Sequence, residues 1–163
     1  MKNSKFTSRN THRVAQRQPV NNITFITILL ALILFNGVNN KSLAQAPTIE
    51  WQKCLGGSND DWAYSIQQTS DSGFIVAGFT NSDDGDVSGN HGGYFDAWVV
   101  KLNNSGDIEW QKCLGGTDYD YAYSIHQTSD GGFIVAGNTA SNDGDVSGNH
   151  GGYYDAWVVK LNK

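Results

Sequence analysis

The sequence predicts an all-β protein, two tandem four-stranded antiparallel meanders preceded by an N-terminal signal helix. Three observations carry this. Past residue 48 the apolar residues come in short runs or in alternation, and no window shows the 3.6-residue period of an amphipathic helix. The segment from Ile49 returns at Ile108, an offset of 59, and aligning 49–104 with 108–163 needs no gap and leaves 45 of 56 positions identical. The third is an apolar run near the N-terminus that follows a basic front.

That front accounts for the first element. Lys2, Lys5, Arg9, Arg13 and Arg17 precede an apolar stretch from Ile23 to Val38, and a polar segment then closes on Leu43-Ala44. This is the layout of a secretory signal peptide, expected over 1–44 with cleavage after Ala44. The alternative is an uncleaved anchor, since the run approaches the length of a spanning helix. The expected destination is export to the periplasm, the cell surface or the medium. Cleavage leaves repeat 1 at 45–107 and repeat 2 at 108–163. The sequence carries 11 Lys+Arg and 16 Asp+Glu, and every acidic residue lies after residue 48. An exported chain this acidic, with no Arg beyond the leader, is expected to bind neither nucleic acid nor, once cleaved, a membrane.

Within repeat 1 the strands follow in order. Residues 63–69 alternate small or apolar with polar side chains. Ser70-Asp71-Ser72-Gly73 is a tight turn, with Gly73 expected to supply the positive φ. The run at 74–80 begins Phe-Ile-Val-Ala-Gly, as expected of a strand buried on both faces. A polar loop over 81–95 leads to a strand at 96–102, and Asn103-Asn104-Ser105-Gly106-Asp107 turns the chain into 108–113. Repeat 2 returns three of these strands, at 122–128, 133–139 and 156–161. Cys54 and Cys113 occupy equivalent places one repeat apart, beyond the usual reach of a disulfide, and are expected as two buried free thiols.

A meander of this length in tandem has the period of a β-propeller blade. The motifs Trp51-Gln52-Lys53-Cys54-Leu55-Gly56-Gly57, Ala63-Tyr64-Ser65-Ile66, Phe74-Ile75-Val76-Ala77-Gly78, Asp84-Gly85-Asp86-Val87-Ser88-Gly89-Asn90-His91 and Asp96-Ala97-Trp98-Val99-Val100-Lys101-Leu102-Asn103 carry a resemblance. The chain resembles the secreted bacterial β-propeller-repeat proteins of Bacteroidetes type, which often end in a type IX secretion sorting tail. The resemblance implies blade-like units and no particular catalytic residues.

Blade one is complete over 63–113, while blade two lacks its outer strand, and a segment of that type stands alone at 49–55. Two blades cannot close a ring. Strand 49–55 is therefore expected to complete a blade on another copy, giving a ring of three or four subunits. The alternative is a piece of a longer propeller protein.

The loops hold the candidate sites. Asp84, Asp86, Ser88 and Asn90 place oxygen atoms at alternate positions, as an EF-hand loop begins. Asp143, Asp145, Ser147 and Asn149 repeat them. Phe95 and Tyr154 stand where the bidentate Glu would be, with Asp96 and Asp155 one residue late. Calcium (Ca2+) at these ten residues is one expectation; side chains that cap their own loop are the other. His91 and His150 lack the neighbours of a transition-metal site.

Aromatic side chains near strand starts and loop ends, Trp62, Tyr94, Tyr121 and Tyr153, are candidates for stacking on a glycan, or else for packing blade on blade. The chain has no Gly-x-Ser-x-Gly elbow, no His-Glu-x-x-His and no phosphate loop, and is expected not to be an enzyme. The function expected is non-catalytic: binding or surface structure, with a lectin-like carbohydrate-binding module as the alternative.

Overall fold

The computed structural model describes residues 44–163, and every described strand belongs to an antiparallel sheet. The expected signal helix lies outside the described residues. Seven strands occur among those described: β1 Asp61–Gln68, β2 Phe74–Thr80, β3 Asp96–Leu102, β4 Ile108–Leu114, β5 Asp120–Gln127, β6 Phe133–Thr139 and β7 Asp155–Leu161. The first four form one sheet in the order β1-β2-β3-β4, and the last three form another in the order β5-β6-β7. Both are meanders, each strand pairing antiparallel with the one before it in its sheet.

The sheet boundary differs from the repeat boundary. β4 opens the second sequence repeat yet closes the first sheet, with Val99 opposite Lys112 and Lys101 opposite Trp110. The three-stranded sheet ends at β7. Register is otherwise copied from one sheet to the other, including a bulge in the first strand between Ala63 and Ser65 and again between Ala122 and Ser124. Each bulge bends its strand and raises the local twist.

Pro47–Lys163 forms one compact unit. Its main core lies between the sheets, where Ile75, Ala77, Ala97, Val99 and Leu114 meet Ala122, Ile125, Phe133 and Val135. Alternation along the strands explains this face, because odd-numbered β2 and β3 residues point at the second sheet. A second core covers the far side of the first sheet, joining Val87, Trp98, Val100, Leu102 and Cys113 to Trp51, Leu55 and Phe74.

Three expectations need correction. Residues 51–57 carry no regular secondary structure. Segment 49–55 runs alongside the first sheet, Trp51 edge-on to Phe74 at 5.6 Å, without a ladder partner among the described residues. The positive φ of the first hairpin turn falls on Ser72, at 69°, not on Gly73. A side chain at Gly73 would instead strike the Leu102 carbonyl, 2.3 Å from an added Cβ. Of the two free cysteines Cys113 is buried but Cys54 is exposed, since its segment has no strand beyond it to cover it.

Candidate functional site

The polar residues gather where each sheet's first strand begins. Gly56-Gly57 and Gly115-Gly116 pass beside the carboxylates of Asp61 and Asp120. Gly57 N–H donates to Asp61 Oδ2 at 2.8 Å, and Gly116 N–H to Asp120 Oδ2 at 2.8 Å. Gly56 has φ 146°, and an added Cβ would lie 2.2 Å from Asp61, so only glycine fits there. The Thr80 hydroxyl donates to Asp61 Oδ1 at 2.5 Å and Ser82 Oγ to Oδ2 at 3.1 Å. In the second sheet Thr139 and Ser141 do the same for Asp120, which is wholly buried. Sequence reasoning missed this Asp-Thr-Ser network. Its signal was an Asp four residues after each Gly-Gly pair.

The loop residues read as calcium ligands continue the same corner. Asp84 Oδ1 accepts the Ser58 N–H at 2.7 Å, and Asp143 Oδ1 accepts the Thr117 N–H at 2.8 Å. Those bonds from Thr117 hold the Asp143 carboxyl below its ordinary range. Asp86 accepts the Gly56 N–H at 3.2 Å, and Asp145 Oδ2 lies 3.6 Å from His91 Nε2. Ser88 accepts from Gln111 Nε2 at 2.6 Å, and exposed Ser147 stands at the equivalent place. Asn90 donates to the Ser82 carbonyl at 3.1 Å, as Asn149 does to that of Ser141 at 3.0 Å.

Asp96 is fully buried. Its Oδ2 accepts the His91 N–H at 2.8 Å and meets His91 Nδ1 at 2.5 Å, while its Oδ1 has no hydrogen-bond partner among the described residues. Burial pushes the Asp96 carboxyl up, although the His91 bonds oppose this. Its counterpart Asp155 accepts the His150 N–H at 2.6 Å, a bond that leads the lowering of its pKa.

A hard cation needs six to eight oxygen atoms aimed at one point. Asp84, Asp86, Ser88 and Asn90 turn instead to four different partners, and no group of three or more His, Cys, Asp or Glu converges among the described residues. What the arrangement does chemically is fasten the loop to the Gly-Gly corner.

The aromatics divide. Phe79, Phe95, Tyr121 and Tyr123 bridge the two sheets, with Phe79 edge-on to Tyr121 at 4.6 Å. Burial raises the Tyr121 phenol, aided by its hydrogen bond with Tyr154. Tyr94 lies flat on Tyr119, centroids 4.2 Å apart and planes 9° apart, with its outer side open. Tyr153 is 80% exposed and touches Tyr154. Trp62 stacks on Phe79 at the free end of the first blade. So of the four candidate stacking residues Tyr121 is a junction residue, while Trp62, Tyr94 and Tyr153 are exposed.

No protein-family model matches the chain, and no curated protein is found to be similar to it.

Proposed function

We propose that this chain is an exported, non-catalytic repeat protein of β-propeller type, a rigid scaffold for binding or surface structure. One observation supports it above the others. Asp84, Asp86 and Asp143 each accept a backbone N–H of the Gly-Gly corner, and Asp120 and Thr139 at the strand ends join Ser141 of the second loop in one buried network. Groups so committed hold a loop still; they are not free to bind and release a substrate.

A second reading, glycan binding, draws on the Tyr94–Tyr119 stack, which offers a flat aromatic face beside Asn and Asp side chains. Sugars present apolar C–H faces and a hydroxyl rim to such a surface.

One experiment separates the two. The chain is expressed in a diderm bacterium, its exported form is N-terminally sequenced, and that form is run on a glycan array. The scaffold reading expects a terminus at Gln45 and no glycan retained. A retained glycan, lost on Tyr94→Ala with Tyr153→Ala, would give the lectin reading instead. A chain that stays in the cytoplasm would sink both.

A further inference from the structure

The chain holds one worked example of how its two ends could meet. At the junction between the blades Ala77, Ala97 and Val99 of the first sheet are buried against Ala122 and Ile125 of the second. Moving each residue by one repeat gives the ends. Ile66, the equivalent of Ile125, is 60% exposed where Ile125 is 1%, and Val158 is 64% exposed where Val99 is 0%. Ala63, Ala136 and Ala156 are exposed where Ala122, Ala77 and Ala97 are buried. The same side chains are covered in the middle and open at the ends, so the two end faces have the shapes of a contact the protein already makes.

The backbone repeats the pattern. Among the described residues β7 is bonded on one edge only, to β6, whereas its equivalent β3 lies between β2 and β4. The sequence of β4, Ile108–Leu114, is identical to Ile49–Leu55. Segment 49–55 already sits on its own blade as β4 sits on the second: Trp51 meets Phe74 at 5.6 Å, and Trp110 meets Phe133 at 5.8 Å.

We propose that a second copy of this chain docks head to tail on the first, its segment 49–55 adding as the fourth strand to the β7 edge and its Ile66 face covering Val158. The proposal deepens the scaffold reading, on which it rests for the idea that the blades stack. The β3–β4 register carried forward by 59 puts Leu55 opposite Ala156, Lys53 opposite Val158 and Trp51 opposite Lys160. Trp51 and Leu55 keep their places on their own blade, so neither copy rearranges. Strand addition also removes the exposed edge. The contact is heterologous: it closes as a ring or runs on as a filament. Rings of about two to four copies would carry the four to eight blades of closed propellers.

The test uses the chain from Gln45, whose residues 47–163 form a unit with its own core. Light scattering should give a multiple of the single-chain mass, and Val158→Asp, at an exposed site, should give the single-chain mass with an unchanged circular-dichroism spectrum. In a Cys54→Ser background, Lys53→Cys with Val158→Cys should yield a ladder of linked chains. Each link forms one S–S bond from two thiols, the two electrons going to added copper phenanthroline. Gln52→Cys with Val158→Cys, one residue out of register, should link at least tenfold more slowly. A folded wild-type monomer overturns the proposal and leaves the scaffold reading standing. An oligomer without the ladder, or with ladders in both registers, also overturns it. So does a chain that folds only with some other partner. Failure of the scaffold reading shows separately, in the glycan array and the cell fractionation.

Discussion

Asp96 and His91 form a pair in which the carboxylate is fully buried and the imidazole lies within 2.5 Å of it, one Asp96 oxygen being left without a partner among the described residues. Burial therefore raises the folded-state pKa of Asp96 above its ordinary 3.8. Between the unfolded and the raised value the folded chain holds a proton that the unfolded chain has lost, so stability falls as pH rises through that window. Asp96→Asn removes the penalty. We expect it to be more stable than the wild type by about 1 kcal/mol at neutral pH and level with it below the ordinary carboxylate range. Urea midpoints at several pH values check this; a gap that widens in acid would refute it.

Asp120 is the keystone of the second blade's corner. Asp120→Ala strands a buried N–H and two buried hydroxyls, and should cost about 3 kcal/mol. Asp61→Ala strands the buried Thr80 and Ser82 hydroxyls but an exposed Gly57 N–H, from a carboxylate that is itself half-buried, and in the single chain should cost less, about 2 kcal/mol. Chemical denaturation of both variants decides it, and equal costs would show that burial of the corner plays no part.

Ser72 sits at φ 69° and its counterpart Gly131 at 82°. The second repeat holds at this position the residue that left-handed backbone favours. Ser72→Gly is expected to stabilise by about 0.5 kcal/mol, relief of the side-chain clash outweighing the added freedom of the unfolded chain. Gly131→Ser should cost a similar amount. Thermal melts of the two variants should move in opposite directions.

Asp84→Ala with Asp143→Ala should lower the melting temperature by several degrees, because two loops lose their bonds to Ser58 and Thr117. The drop should be the same in calcium and in chelator. A loss seen only with calcium present would mean that the loops close round a cation after all.

Lys101 lies at the blade junction, 4% exposed, bonded to Glu109 at 2.9 Å, to Asp71 at 3.2 Å and to the Leu102 carbonyl at 3.0 Å. Burial pulls its pKa down, but the Glu109 and Asp71 bonds outweigh it and leave the amine raised. Lys101→Ala should cost about 1–2 kcal/mol, limited by partners that remain half in water. A loss no larger than that of exposed Lys160→Ala would show that burial at the junction adds nothing.

The strands were legible in the sequence because each is an apolar run bounded by a turn, and the doubled pattern fixes every offset. β1 and β5 begin two residues earlier than alternation indicates, since Asp61 and Asp120 join the ladder while their side chains turn back to the Gly-Gly corner. That corner was not legible. Asp61 is bonded to Thr80 and Ser82, 19 and 21 residues away, a closeness that no local spacing encodes. The calcium-like spacing of Asp84, Asp86, Ser88 and Asn90 was real, but spacing does not say where an oxygen points. Segment 49–55 has the composition of a strand and, among the described residues, no ladder neighbour to make it one.

Because β4 belongs to one sheet and to the other repeat, the unit that is copied in the sequence is not the unit that folds. One more copy of residues 49–107 inserted after Asp107 would lengthen the stack by a whole sheet and leave both termini unchanged. Growth by such insertions would alter how many sheets one polypeptide carries without touching the surfaces at its ends.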